Sequence, residues 1–349
     1  MLRSKTVLVL GAGASCELGF PSGPALLKSI AEELDIRFDH FNQIAGSTVL
    51  METISRHHRE HNPTSDINDY LRAAWRLRDA ARIARSIDNA IDQNDTDPLV
   101  AAVGKLAIAH QIGVEEAKSR LKRLDNEPRI FDLNLLGGTW LVPFAQMLTT
   151  DLRASQAEEI FDNLEVISFN YDRSFEAFLP TIFFSAYGFR PEDAQRLSAS
   201  LKVFHPYGSL GLLPWQVTDP LSAEYGAASK GSVERIATSL RTFTERNHDL
   251  DQLADMRQSI SEAEILIFIG FGFHRQNMVL LTPDEGTPMN SPRIYATVYQ
   301  EPPGAIPEIR QSLANIYNIG PSKISPVPMD LMNGTSFELL SSYYSPLTA

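Results

Sequence analysis

Short unbroken apolar runs alternate along this chain with longer stretches in which apolar positions recur every three or four residues. The runs are Thr6–Leu10 (TVLVL), Glu165–Phe169 (EVISF), Leu201–Phe204 (LKVF), Ile265–Ile269 (ILIFI) and Ile294–Tyr299 (IYATVY). Each has strand length and lacks polar alternation, as expected of strands covered on both faces in a parallel sheet. After the first of them, PALLKSIAEEL sets Leu26, Leu27, Ile30 and Leu34 on one helical face. Strands alternating with helices predict an α/β fold, a Rossmann-like doubly wound parallel sheet.

From about residue 36 to 159 the runs give way to Ala- and Arg-rich helical texture. The expectation is a large all-α insertion in a sheet domain made of residues 1–35 and 160–349. Within it, DYLRAAWRLRDAARIARSIDNAI places Ala73, Leu77, Ala80, Ala84 and Ile87 along one helix face, with Arg78, Arg82 and Arg85 roughly opposite. That basic stripe reads as a solvated face, or as an interface with a partner or nucleic acid. HHREH offers His57, His58 and His61 as metal ligands, but it shows no apolar face and is read as an exposed loop. Beyond residue 301 the prolines of EPPGAIP and GPSKISPVP suggest a tail that wraps the domain edge.

Composition narrows the function classes. The 349 residues are 43% hydrophobic and 21% charged, enough for a sizeable core in one large domain with an insertion, or in two domains. A net charge of -12 argues against direct nucleic-acid binding by the whole surface. The single cysteine, Cys16, rules out an internal disulfide framework and any zinc site that needs two thiolates, and fits a reducing compartment. The N-terminal apolar run is too short for a signal-peptide core or a membrane span, so a cytoplasmic protein is expected.

The candidate chemistry gathers at strand ends. Gly11, Gly13 and Gly19 follow the first strand and precede a helical pattern, where backbone amides and a helix N-terminus hold a pyrophosphate. The spacing departs from G-x-G-x-x-G, since Cys16 takes the third position. The acidic residues about twenty positions on, Glu32, Glu33 and Asp35, lie in a helical pattern, which weakens a redox dinucleotide reading. Asn170, Tyr171 and Asp172 follow EVISF, and Asp172 reads either as a site residue or as a cap of the next helix. His205, with Gly208 and Ser209 in a turn, ends the next strand. Gly270 and Gly272 end the very apolar fourth.

In that order, GAGASCELGFPSG, FNYD, HPYGS and IGFGF resemble the sirtuin-like superfamily, specifically its bacterial NAD-consuming branch, whose motifs read GAGxSxxxG[IL]PS, TNYD, LHGS and IGYSF. The resemblance covers about residues 1–35 and 160–300. Two departures stand out: Pro206 and Tyr207 separate His205 from its glycine, and one cysteine cannot build the four-cysteine zinc module of the protein deacylases. The resemblance implies a hydrolase of the nicotinamide–ribose bond, with NAD as substrate rather than cofactor and no metal. It implies Asn170 and His205 as catalytic residues, with Gly11, Ala12, Gly13, Ser15, Pro21, Asp172, Gly270 and Gly272 binding NAD. It further implies antiphage NAD depletion, gated by homo-oligomerisation or by a separate partner such as a HerA-type ATPase translocase or an Argonaute. A subunit that binds NAD or ADP-ribose without cleaving it is the alternative.

Overall fold

The computed structural model describes residues 2–124, 126–127, 129–217, 222–227, 233–241, 250–284, 287–317 and 328–349. Its strands are β1 (Thr6–Leu10), β2 (Arg37–Asp39), β3 (Asn42–Ala45), β4 (Leu164–Ser168), β5 (Lys202–Phe204), β6 (Ile265–Ile269), β7 (Arg293–Thr297) and β8 (Met329–Met332). Six of them form one sheet in the order β5-β4-β1-β6-β7-β8, and every pairing in it is parallel. The chain therefore starts in the middle, winds outward through β4 and β5, returns to the far side of β1 as β6, and winds outward again. This is the doubly wound Rossmann-like order, and its reversal lies between β1 and β6, where such sheets open a crevice beyond the strand ends.

Register makes that crevice level. Leu10 pairs with Ser168 on one side and Ile269 on the other, so Gly11, Phe169 and Gly270 leave the sheet at one height. β1 is paired on both edges and buried along its whole length.

The helices used below are α1 (Ala12–Cys16), α2 (Gly23–Glu33), α3 (Thr48–His61), α4 (Ile67–Ala81), α5 (Ile87–Asp92), α6 (Pro98–Lys118), α7 (Leu141–Thr149) and α8 (Ser174–Tyr187). Helix α6 is the axis of the insertion: it packs against α2, α3, α4 and α5, and its Val100, Val103, Leu106 and Ala107 are buried. At the end of this segment α7 packs against α8.

Several sequence expectations need correction. The segment 36–159 is not all helical, because β2 and β3 form an antiparallel hairpin. Its apolar side chains, including Phe41 at 99% exposure, face outward, so it lacks the buried run by which strands are recognised. The Arg-striped stretch is two helices: α4 ends at Ala81, and Ser86 caps α5 by accepting the Asn89 N–H at 3.1 Å. HHREH is the last turn of α3 rather than a loop, with His57 stacked on His61 at 4.2 Å and both His57 and His58 edge-on to Tyr70. The tail does more than wrap an edge, for it supplies the helix Ile306–Tyr317 and the sixth sheet strand, β8. Most of GPSKISPVP lies outside the described residues. Among the described residues no helix is long and apolar enough to cross a membrane.

Candidate functional site

The glycine loop is shaped by its neighbour before any ligand is considered. Gly11 donates its N–H to the Ile269 carbonyl at 3.0 Å, and Gly13 donates to the Gly270 carbonyl at 2.9 Å. A Cβ at Gly11 would stand 2.4 Å from the Gly270 oxygen, and one at Gly270, whose φ is +59°, would stand 1.9 Å from the Ala14 nitrogen. The turns after β1 and β6 are thus interlocked backbone to backbone, which only glycine permits. The Gly11 and Gly13 amides are consequently engaged by the protein, and this packing itself requires glycine at 270.

Over this loop lies a cavity of about 370 Å³. Gly11, Ala12, Gly13, Ser15, Pro21, Asn170, Asp172, Gly270 and Gly272 all line it. Its polar floor is one hydrogen-bonded chain. The Ser15 hydroxyl donates to Asp172 Oδ2 at 2.7 Å, and Asn170 Nδ2 donates to Ser15 Oγ at 3.0 Å and to the Gly11 carbonyl at 3.0 Å. A carbonyl only accepts, so these partners fix which end of the Asn170 amide is the nitrogen. Asn170 Oδ1 is then left buried without a partner at the cavity wall. The orphan is costly, because a buried acceptor without a donor forfeits about 1–3 kcal/mol.

Asp172 is engaged on both sides. Its Oδ1 accepts the backbone N–H of Ser174, the first residue of α8, at 3.0 Å, while Oδ2 faces Ser15. Burial pushes its carboxyl above the ordinary range, against the opposing hydrogen bonds from Ser174 and Ser15.

His205 stands apart. It does not line this cavity but a neighbouring one of about 590 Å³. Its Nε2 meets Glu176 Oε1, on α8, at 2.5 Å, and its side chain is 16% exposed. Burial pulls its pKa down, but the Glu176 charge and hydrogen bond outweigh that and raise it above the ordinary 6.5. The structure therefore brings Asn170 and the expected binding residues together and seats His205 behind them.

No family model, curated protein or solved structure matches this chain. The site is accordingly read from its own geometry.

That geometry adds residues the sequence argument missed. Tyr171 donates its hydroxyl to Asp88 on α5, tying the insertion to the end of β4. Burial raises the pKa of both; the contact adds to the rise at Tyr171, taking it well above its ordinary value, and opposes it at Asp88. Tyr207 donates to Asn277 Oδ1 at 2.8 Å. Asp88, Tyr171, Tyr207 and Asn277 all line the cavity, as do Arg85 and His274. His274 follows IGFGF directly and was within reach of a motif reading. Arg85 and Asp88 were not, since nothing in their spacing says that the α4–α5 link turns toward the sheet. Among the described residues no cluster of three or more His, Cys, Asp or Glu is placed to hold a metal ion.

Proposed function

We propose that this chain binds NAD in the 370 Å³ cavity and hydrolyses its nicotinamide–ribose bond. The observation that carries the reading is Asn170: an amide whose donors are both engaged, whose acceptor is unpaired, and which sits where a doubly wound sheet takes its ligand. The sequence resemblance supplies the identity of the ligand.

In the proposed reaction the C1′–N bond breaks and its electron pair neutralises the pyridinium, so nicotinamide leaves without a general acid. Water forms the new bond to C1′. Asn170 Oδ1 accepts a hydrogen bond from that water or from a ribose hydroxyl. The Asp172 carboxylate steadies the developing oxocarbenium charge electrostatically. Its raised pKa makes it the base of the buried cluster, and it takes the proton the water loses, with the Ser15 hydroxyl between. Balanced, NAD⁺ and water give nicotinamide, ADP-ribose and a proton. His205 acts as a positioning residue, its Nε2 anchored on Glu176 and its pKa raised in part by the Asn170 backbone.

On the same resemblance the reaction belongs to a cytoplasmic NAD-depleting defence protein, held in check until a partner or self-assembly releases it. The second reading, binding of NAD or ADP-ribose without cleavage, is favoured by one observation, the seat of His205 outside the cavity. Nicotinamide and ADP-ribose release from NAD, followed by chromatography with the chain alone and after forced assembly, separates the two. Turnover that depends on Asn170 supports hydrolysis, whereas binding with no turnover in either state overturns it.

A further inference from the structure

The spent amides of the glycine loop raise a physical question: what would hold a phosphate here? Gly11 and Gly13, the obvious donors, give their N–H groups to Ile269 and Gly270. Two other side chains lining the cavity carry basic nitrogens, Arg85 and His274. Arg85 lies on the link between α4 and α5, one residue before the Ser86 cap, and His274 lies at the start of the helix Arg275–Leu281. Neither is bonded through its side chain to another described residue. Their neighbours on the arginine stripe are different: Arg78 is 19% exposed and paired with Asp35 and Asp79, and Arg82 reaches Asp79. Gly272 also finds its reason here, because a Cβ there would stand 3.0 Å from His274 Nε2 and push the imidazole away.

A second cavity, of about 630 Å³, adjoins the first, and the residues common to both are Arg85, Gly272 and His274. Arg275, next to His274 in sequence, lines the second cavity and adds a positive charge there, while carboxylates belong to both cavities: Asp88 and Asp172 to the first, Glu301 and Glu308 to the second. Asp88 and Asp172 are already engaged by Tyr171 and by Ser15 with Ser174. A ligand spanning the two spaces would carry its negative charge in the middle and neutral, hydroxyl-bearing groups at its ends. That is the charge distribution of a dinucleotide, a pyrophosphate between two nucleosides.

We infer that Arg85 and His274 form the pyrophosphate subsite, and that the ligand's two nucleoside halves occupy the two cavities on either side. The inference rests on the NAD reading for its ligand class but not on cleavage. Arg85 supplies a permanent charge and a fork of donors suited to phosphate oxygens, and His274, which lines the same two cavities, adds a ring N–H. The insertion thereby contributes Arg85 to a site whose other basic groups, His274 and Arg275, come from the segment after β6.

The test is calorimetric titration of the full chain with ADP-ribose, at low and high salt. Arg85→Ala and His274→Ala should each weaken binding about tenfold, and the double variant about a hundredfold. Arg85→Lys should restore part of the loss, and the salt dependence should fall with the charge removed. The Arg85→Ala unfolding midpoint should stay unchanged, since that side chain is not hydrogen-bonded to another described residue, whereas His274→Ala also removes a charge that acts on Asp88. ADP-ribose affinity unchanged in the double variant, or no ADP-ribose binding by the unsubstituted chain, overturns the subsite. Arg85-dependent ADP-ribose binding without nicotinamide release from NAD would leave the subsite standing and overturn hydrolysis instead.

Discussion

Asn170 and His205 follow adjacent strands of one sheet, and each leaves one buried polar atom without a hydrogen bond, yet their surroundings differ. Around Asn170 the donors are committed, to a carbonyl and a hydroxyl, and the orphan is an acceptor in the wall of a cavity. Around His205 the committed atom is Nε2, held by Glu176, and the orphan Nδ1 belongs to a residue that lines a different cavity. An orphan is tolerable where a ligand can satisfy it, and otherwise it is a standing cost. The comparison assigns ligand contact to the end of β4 and support to the end of β5. Adjacent strand ends thus need not share a chamber, because one helix, α8, can carry both the cap of one cluster and the counter-charge of the other.

The sharpest way to break this division is to remove both side chains in turn. Asn170→Ala should lower NAD turnover by about 10²–10³-fold, the scale of losing one positioned polar group at a reacting centre. His205→Ala should lower it by about tenfold, as a support that shifts Asn170. Equal losses in steady-state nicotinamide release, with both variants folded, would place His205 in the chemistry and erase the distinction.

A second measurement addresses the pair itself. His205 has its folded pKa raised above 6.5, so the stabilisation it contributes is complete below 6.5 and is lost as pH rises through the folded value. Glu176→Gln keeps a hydrogen-bonding group but removes the charge, and should destabilise the chain by about 2 kcal/mol at pH 6. The difference should shrink at pH 9. A destabilisation of the same size at both pH values, from urea unfolding, would mean that the pair is not ionised and that only packing was lost.

Legibility from sequence follows burial. TVLVL and ILIFI coincide with β1 and β6 to the residue, because both central strands are apolar runs flanked by pairing on each side. Toward the edges the boundaries drift: β5 is only Lys202–Phe204, and β8, MDLM, went unread because an edge strand with an aspartate in it has no unbroken run. The glycine, NYD and FGF segments were legible because strand ends must meet once the sheet is parallel. Their individual roles were not, since the commitment of the Gly11 and Gly13 amides to β6 depends on interlocking turns that spacing does not encode. The place of Arg85 was hidden for a related reason. Ser86 breaks the helix, so Arg78 and Arg82 stay on a paired surface while Arg85 turns to the cavity.

The smallest effect comes from a buried carboxylate with fewer partners than Asp172. Glu33, the last residue of α2, is 24% exposed, its Oε1 is 3.9 Å from His110 Nε2, and its Oε2 has no partner. Burial, helped by Glu115 and opposed by Lys118, raises its pKa to about 7. His110 is pushed down by its own burial and by Lys118, so its ring stays neutral near pH 7 and offers no compensating charge. The folded pKa is raised, so the favourable contribution of the protonated form is full below the ordinary 4.5 and disappears as pH rises through about 7. Glu33→Gln should therefore match the unsubstituted chain below pH 4.5 and exceed its stability by about 1–2 kcal/mol at pH 8.5, after discounting for partial exposure. NAD turnover should be unaffected. Asp172→Asn removes a carboxylate likewise raised by burial, but one held by two donors, and should differ in its large loss of turnover. If Glu33→Gln gains no stability at alkaline pH, burial alone does not set the cost of a carboxylate in this protein, and the raised pKa of Asp172 no longer argues for a base at the site.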